Sequence, residues 1–381
     1  MEKNGIPLSD VKRRLEAEKV RDVTFSSGRI MGSMCTEPHP ISVEAHNMFR
    51  ESNLGNPGLY PGTAYLEEEV IRILGNLLGM SDPRGHVLSG GTEANITALY
   101  MAKKITGKKK VIFPKSAHFS VLKAVNLLDL EPVVIGLDER YRMSIDELRG
   151  SIDDDVTMVF AVAGSTELGM VDPIERISDV AVDIPLHVDA AFGGFVLPFL
   201  GEMGMLPEWV GRWDFSVRSV TSMTIDPHKM GLSTIPAGCL LYRDPFSLQK
   251  LSVDSPYLTS KNAYTLAGTR DSGSVAGSYA VMKHLGIEGY NQVVMKCMEN
   301  THYLKTRLIE LDLTPVIEPL MNIVVVHHDD PFKVESELKK IGWNISLMRD
   351  PPALRFVVMP HVTRETIDEF IPCLERVLKG I

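Results

Sequence analysis

Cysteine is scarce in this chain: four in 381 residues, at positions 35, 239, 297 and 373, with no CxxC pair among them. That spacing argues against a disulfide framework and against a cysteine zinc site, and a reducing cytoplasm is the expected compartment. No apolar run approaches the ~18 residues that would cross a bilayer. The opening stretch, MEKNGIPLSDVKRRLEAEKVRD, alternates charges without the apolar centre of a signal peptide and reads as an amphipathic helix. Basic residues are the rarer sign, 40 against 49 acidic, for a net charge of −9. A phosphate backbone or an anionic membrane is therefore not an expected partner. Neither GxGxxG nor GxxxxGK[ST] occurs, so dinucleotide-binding and P-loop readings lose their signatures. Internal repeats and low-complexity tracts are missing too.

What is present is a βαβ rhythm. Between about positions 86 and 245 the runs HVLS, VIFP, EPVVIGL, TMVFAVAG, LHVDAAF, FSVRSVTSM and AGCLLY read as strands, with helix-period segments such as TEANITALYMAKKIT and HFSVLKAVNLL between them. This predicts a mostly parallel sheet with helices on both faces. The polar, turn-rich stretch 252–275 breaks the rhythm, a long helix is expected from Ala276 to about Leu311, and the remainder reads strand, helix, strand, helix. The expected organisation is an N-terminal helical segment (1–55), a large α/β domain (56–285) and a smaller C-terminal α+β domain (286–381).

Three motifs carry chemistry. SGGTEAN (89–95) follows a strand and opens a helix, so backbone N–H groups at Gly90 and Gly91, with hydroxyls from Ser89 and Thr92, can receive an anion at the positive helix end. The plainer alternative is an N-cap with two turn glycines. LHVDAAFGG (186–194) sets a carboxylate in an apolar strand. Alternation puts His187, Asp189 and Ala191 on one face, and a buried Asp189 needs a cationic or N–H partner. In DPHKM (226–230), Lys229 follows Pro227 and His228 within a stretch of Val, Ser, Thr and Ile. Desolvation there is expected to lower its pKa and make it a nucleophile, although most lysines are simply exposed. An anion cradle, a buried carboxylate and a reactive amine together meet the needs of pyridoxal 5′-phosphate: a phosphate site, a partner for the ring nitrogen and an amine for the aldehyde. His228 lies close enough in sequence to help with the phosphate.

With SSGRIMGSMCTEPHP, NLGNPGLYPGT, AGSTELGMVDPI and TLAGTR added to those motifs, most of the chain resembles the group II pyridoxal-phosphate-dependent amino-acid decarboxylases, and within them the archaeal tyrosine/aspartate branch. The resemblance implies the fold-type-I architecture, here with a seven-stranded sheet, and a homodimer with active sites shared between subunits. It makes Lys229 the lysine that holds the cofactor and Asp189 the partner of the ring nitrogen. His118 in SAHFS would stack on one ring face and Ala191 would close the other. Thr166 would lie near the ring hydroxyl, Gly90, Gly91 and Thr92 would hold phosphate, and Thr269 in AGTR would reach the neighbouring subunit's phosphate. Tyr257 in SPYLT is a candidate proton donor. Arg355 in ALRFVVMP, set by alternation opposite Leu354 and Phe356, would dock the substrate carboxylate; a solvated arginine is its plain alternative. No metal is implied.

The implied reaction is decarboxylation of an L-amino acid, tyrosine to tyramine (for methanofuran) or aspartate to β-alanine (for coenzyme A). Two rivals share the motifs. A carbon–carbon lyase resembling sphingosine-phosphate lyase would usually carry an N-terminal membrane segment, and a non-catalytic binding protein would have no need of the Lys229–Asp189 pair.

Overall fold

The structure, a computed structural model, describes residues 1–380 except 2, 257, 258, 260 and 261, so Tyr257 lies outside the described residues. Three helices, α1 (Leu8–Lys19), α2 (Pro40–Phe49) and α3 (Pro61–Leu77), come before the first strand. There follow β1 (Arg84–Leu88), α4 (Gly91–Thr106), β2 (Lys110–Pro114), α5 (Ser120–Leu128), β3 (Glu131–Ile135), α6 (Ile145–Ser151) and β4 (Val156–Val162). Then come α7 (Ile174–Val180), β5 (Leu186–Asp189), α8 (Leu197–Glu202), β6 (Val220–Ile225) and β7 (Gly238–Tyr242). The seven strands form one sheet in the order β1-β7-β6-β5-β4-β2-β3. β7 runs antiparallel to both its neighbours and the other pairs are parallel.

Every residue of β4 and β5 is buried, as expected of central strands covered by helices on both faces. β6 begins later than the sequence suggests. A turn from Val217 to Val220 takes up the start of FSVRSVTSM, and Val220 opens the strand. The strand then ends at Ile225, which delivers Asp226 to Lys229 directly to the carboxyl edge of the sheet, where ligands of open α/β sheets bind.

Beyond a short hairpin of β8 (Val253–Asp254) and β9 (Asn262–Ala263), α9 spans Ser272–Ile309 and is interrupted at Gly286, whose φ of 56° and ψ of −169° only glycine adopts readily. Asp271 caps its start by accepting from the Gly273 and Ser274 amides. The chain ends in β10 (Ile323–His327), α10 (Pro331–Lys340), β11 (Ser346–Met348), β12 (Ala353–Val357) and α11 (Arg364–Gly380). These strands make a three-stranded antiparallel sheet, β10-β12-β11, over a separate core of Val324, Val326, Leu354, Phe356, Trp343 and Phe370. The sequence reading missed β11, three residues long.

The N-terminal part is less helical than expected. Residues 29–31 run alongside the small sheet: Met31 donates to the Asn344 carbonyl and accepts from the Val357 amide, and its side chain is fully buried in the small core. By contrast, α1 buries none of its residues.

One buried ion pair ties the large domain to the segment before α9. Glu67 on α3 takes Nη1 and Nη2 of Arg270 and the Val87 amide. Burial alone would raise its pKa, but Arg270 and His86 outweigh it and hold the carboxyl at about 2 instead of 4.5. Because the folded-state value is depressed, the stabilisation is present above pH 4.5 and is lost as pH falls towards 2. It is worth about 3 kcal/mol at most. Glu67→Gln should therefore lower stability in denaturant titrations at pH 7 by up to about that amount, with the deficit shrinking steadily below pH 4.5. An unchanged gap between variant and parent at acid pH would refute the assignment.

Candidate active site

The carboxyl ends of β1, β4, β5 and β6 surround a cavity of about 370 Å³. Ser89, Gly90, Gly91, Thr92, His118, Thr166, Asp189, Ala191, His228 and Lys229 all line it. Ten of the residues singled out from sequence thus meet in one place, and Met34, Asn95, Phe119, Val162 and Asp226 join them.

The cradle presents free donors at a helix start. α4 starts at Gly91 with Gly90 as its N-cap, and no side chain caps it, so first-turn amides keep their donors for a ligand. Small residues are required. A Cβ on Gly91 would come within 2.9 Å of Asp226 Oδ2, and one on Gly238 within 2.3 Å of the Gly90 Cα. Ser89 is committed elsewhere: its hydroxyl donates to Glu93 Oε2 at 2.7 Å, which leaves Thr92 as the cradle's uncommitted hydroxyl.

Asp189 ends β5 and is 6% exposed. Among the described residues it has N–H partners and no direct cation: Ala191 N donates to Oδ1 at 3.0 Å and Asn95 Nδ2 to Oδ2 at 2.8 Å. A carboxylate so held keeps acceptor capacity for one further N–H. Lys229 sits in the turn after β6, its Nζ 3.1 Å from Asp226 Oδ2. Here the expected lowering of its pKa is overturned. Burial does push the ammonium down, but Asp226 and then Asp189 more than offset it and the net shift is upward. The sequence reading counted few charges around Lys229 and overlooked the carboxylate three residues earlier.

His118 and His228 are both shifted down by burial against the partial pull of nearby carboxylates, so both are neutral near pH 7. His228 is pinned by the Ala237 backbone, and His118 lies against Phe119 with ring centroids 3.9 Å apart.

Arg355 and Thr269 do not line the cavity. Arg355 is 5% exposed, which rules out the solvated alternative. Its Nε donates to the Glu167 carbonyl at 3.1 Å, next to cavity-lining Thr166, and its Nη1 to Gly32 O and Ser346 Oγ. Its Nη2 is buried without a hydrogen-bond partner among the described residues. Desolvation lowers its pKa to about 10 against a small opposing effect of Glu167, so it stays charged. Thr269 is exposed. Two functional candidates went unrecognised, Asn95 and Asp226. Signals existed for both: Asn95 stands one helical turn beyond Gly91 on the same face, and Asp226 stands at i−3 from Lys229.

Residues 56–325 match the pyridoxal-dependent decarboxylase conserved domain. The chain belongs to that family. A probable L-tyrosine/L-aspartate decarboxylase of Methanothrix thermoacetophila is 46% identical to the decarboxylase over 378 residues, covering 98% of this chain and 96% of that one. A probable L-aspartate decarboxylase of Archaeoglobus fulgidus is 44% identical, over 97% and 100% of the two chains. Among solved structures, the sphingosine-1-phosphate lyase of Burkholderia pseudomallei superposes with a TM-score of 0.91 at 24% identity, covering 100% of this chain and 92% of that one. The glutamate decarboxylase of Lactobacillus brevis superposes at 0.87 and 21%, covering 100% and 94%. At those identities the likeness speaks for the fold, which is fold type I, and for nothing finer. The decarboxylase uses pyridoxal phosphate, and the cavity suits it: an uncapped helix start for the phosphate, an acceptor-only carboxylate for the ring nitrogen, and a primary amine within the same walls.

Proposed function

We propose that the decarboxylase acts on L-tyrosine, L-aspartate or both, giving tyramine or β-alanine, with Lys229, Asp189 and the α4 start as its cofactor site. The observation that carries the site reading is the convergence of those three groups on one cavity. The substrate reading rests on the curated relatives, whose names carry tyrosine and aspartate.

Bound pyridoxal phosphate supplies a conjugated ring that accepts the electron pair left on the substrate as carbon dioxide departs. The chain's own residues do the rest. Gly90, Gly91, Thr92 and His228 would bind the phosphate. Asp189 would hold a proton at the ring nitrogen, His118 and Ala191 would flank the ring, and Thr166 would lie near its hydroxyl. Lys229 would hold the cofactor through its amine and make way for that of the substrate. The proton that replaces the carboxylate at Cα needs an acid. Of the described candidates, Lys229 is kept charged by Asp226 and Asp189 whereas His118 is neutral, so Lys229 is the better stocked; Tyr257 is the third candidate. Purified protein supplied with pyridoxal phosphate and each common L-amino acid in turn, with amine and carbon dioxide measured, tests the reading. Turnover of neither tyrosine nor aspartate would end it.

Arg355 is assigned to substrate docking, on the strength of its unpartnered Nη2 in a buried site beside the Thr166 loop. A tight grip on the departing carboxylate would stabilise the ground state, so the arginine's work is capture. Arg355→Met should raise KM roughly tenfold or more while lowering kcat less, with cofactor affinity unchanged. A change confined to aspartate would mean that it reads the side chain instead. Exposed Thr269 suits a shared site in a homodimer, and a cytoplasmic enzyme divided at 55 and 285 completes the proposal.

A further inference from the structure

Asp189 has a support of its own. Asn95 on α4, 1% exposed, donates from Nδ2 to Asp189 Oδ2 at 2.8 Å and to Ser120 Oγ at 2.9 Å. Its Oδ1 receives Thr224 Oγ1 at 2.7 Å and lies 3.2 Å from His187 Nε2. His187 Nδ1 in turn lies 2.8 Å from Ser222 Oγ. His187, Ser222, Thr224 and Ser120 have no exposed surface.

Chemistry fixes the protons between Asp189, Asn95 and His187. An ionised carboxylate can only accept, so the amide NH₂ of Asn95 must face Asp189 and its oxygen must face Thr224 and His187. His187 must then carry its proton on Nε2 and accept from Ser222 at Nδ1. Burial, opposed only in part by Asp189, holds its pKa at about 4, so the ring is neutral and this single tautomer persists. Turning Asn95 over would set donors against donors and an oxygen against the carboxylate in a buried site.

We infer that Asn95 is a positioning residue that holds the Asp189 carboxylate aimed at the cofactor's ring nitrogen, with Thr224, His187 and Ser222 locking its orientation. The inference rests on the assignment of Asp189 proposed above. Without the Asn95 amide, one oxygen of the buried carboxylate loses its donor and the group is held by the Ala191 amide alone, so its contact with the ring nitrogen weakens.

The test is a titration of cofactor-stripped protein with pyridoxal phosphate and with its deaza analogue, in which carbon replaces the ring nitrogen. The parent protein should prefer the true cofactor. Asn95→Leu should cut that preference about tenfold, the weight of one hydrogen bond to a charged group, and leave affinity for the analogue unchanged. A merely structural role would weaken both equally. Equal weakening, no change, or an increased preference would each overturn the inference. Should Asn95→Leu fail to fold, Thr224→Val, which removes the shortest contact to Oδ1, should show a smaller cut of the same sign, and an unaltered ratio there overturns it equally. Asp189→Asn in the same titration separates the two levels. If it abolishes the preference and Asn95→Leu does not, only the positioning role falls; if it leaves the preference intact, the Asp189 assignment falls and Asn95 with it.

Discussion

Lys229→Ala should eliminate turnover, and borohydride treatment of the variant loaded with pyridoxal phosphate should no longer attach a pyridoxyl group to the chain. Peptide mass mapping after reduction reads this directly: the parent carries the label at Lys229 and the variant carries none. Two other lysines are poorly placed to take the label. Lys115 is paired with Asp350 at 2.6 Å, and Lys123 lies 4.6 Å from the Phe119 ring centroid; neither lines the cavity. Label on either would refute the assignment. Folding needs its own control, because removing Lys229 leaves Asp226, 2% exposed, without its ion-pair partner. Stranding a buried carboxylate costs about 3–5 kcal/mol. The double variant K229A/D226N removes that penalty and should be as inactive as the single one while melting closer to the parent.

Asp189→Asn is the second large effect. In the proposed assignment the carboxylate supplies the negative charge that keeps the ring nitrogen protonated, and a neutral amide cannot, so the rate should fall on the order of 10³-fold. The fold should survive. The amide still accepts from Ala191 or Asn95 but not from both, and the unmade bond costs about 1–3 kcal/mol. Circular dichroism and a melting curve accompany the rate measurement. Near-parental activity in a well-folded variant would remove Asp189 from the chemistry.

The large sheet was readable because its central strands are buried on both faces and so appear as unbroken apolar runs, as in VTMVFAV, which is buried throughout. β11 was not, since three residues between turns carry no period. The start of β6 was misplaced because Phe215 and Val217 are apolar for a different reason, burial in a turn. In the site, glycines, the central Asp and the Lys stand out because each is the wrong residue for a plain strand or helix. Asn95 and Asp226 do not stand out, since one amide on a helix and one acid before a proline are common. The role of Asn95 depends on His187 and Thr224 arriving from β5 and β6, and that of Asp226 on the turn after β6 folding Lys229 back onto it. Arg355 shows the same limit: alternation found its face correctly, but only the approach of Gly32 and Glu167 from distant segments makes that face an interior.

The stretch around Met31 also sets a schedule. Gly32 meets Arg355 at a separation of 323 residues, and Ile30 meets His361 at 331. On a ribosome adding roughly 5–20 residues per second, the early segment therefore waits tens of seconds for its partners to be made. Met34, which lines the cavity, lies in that same segment. The large sheet can be complete while the pocket still lacks its first wall, so competence to bind substrate should be the last property a nascent chain acquires.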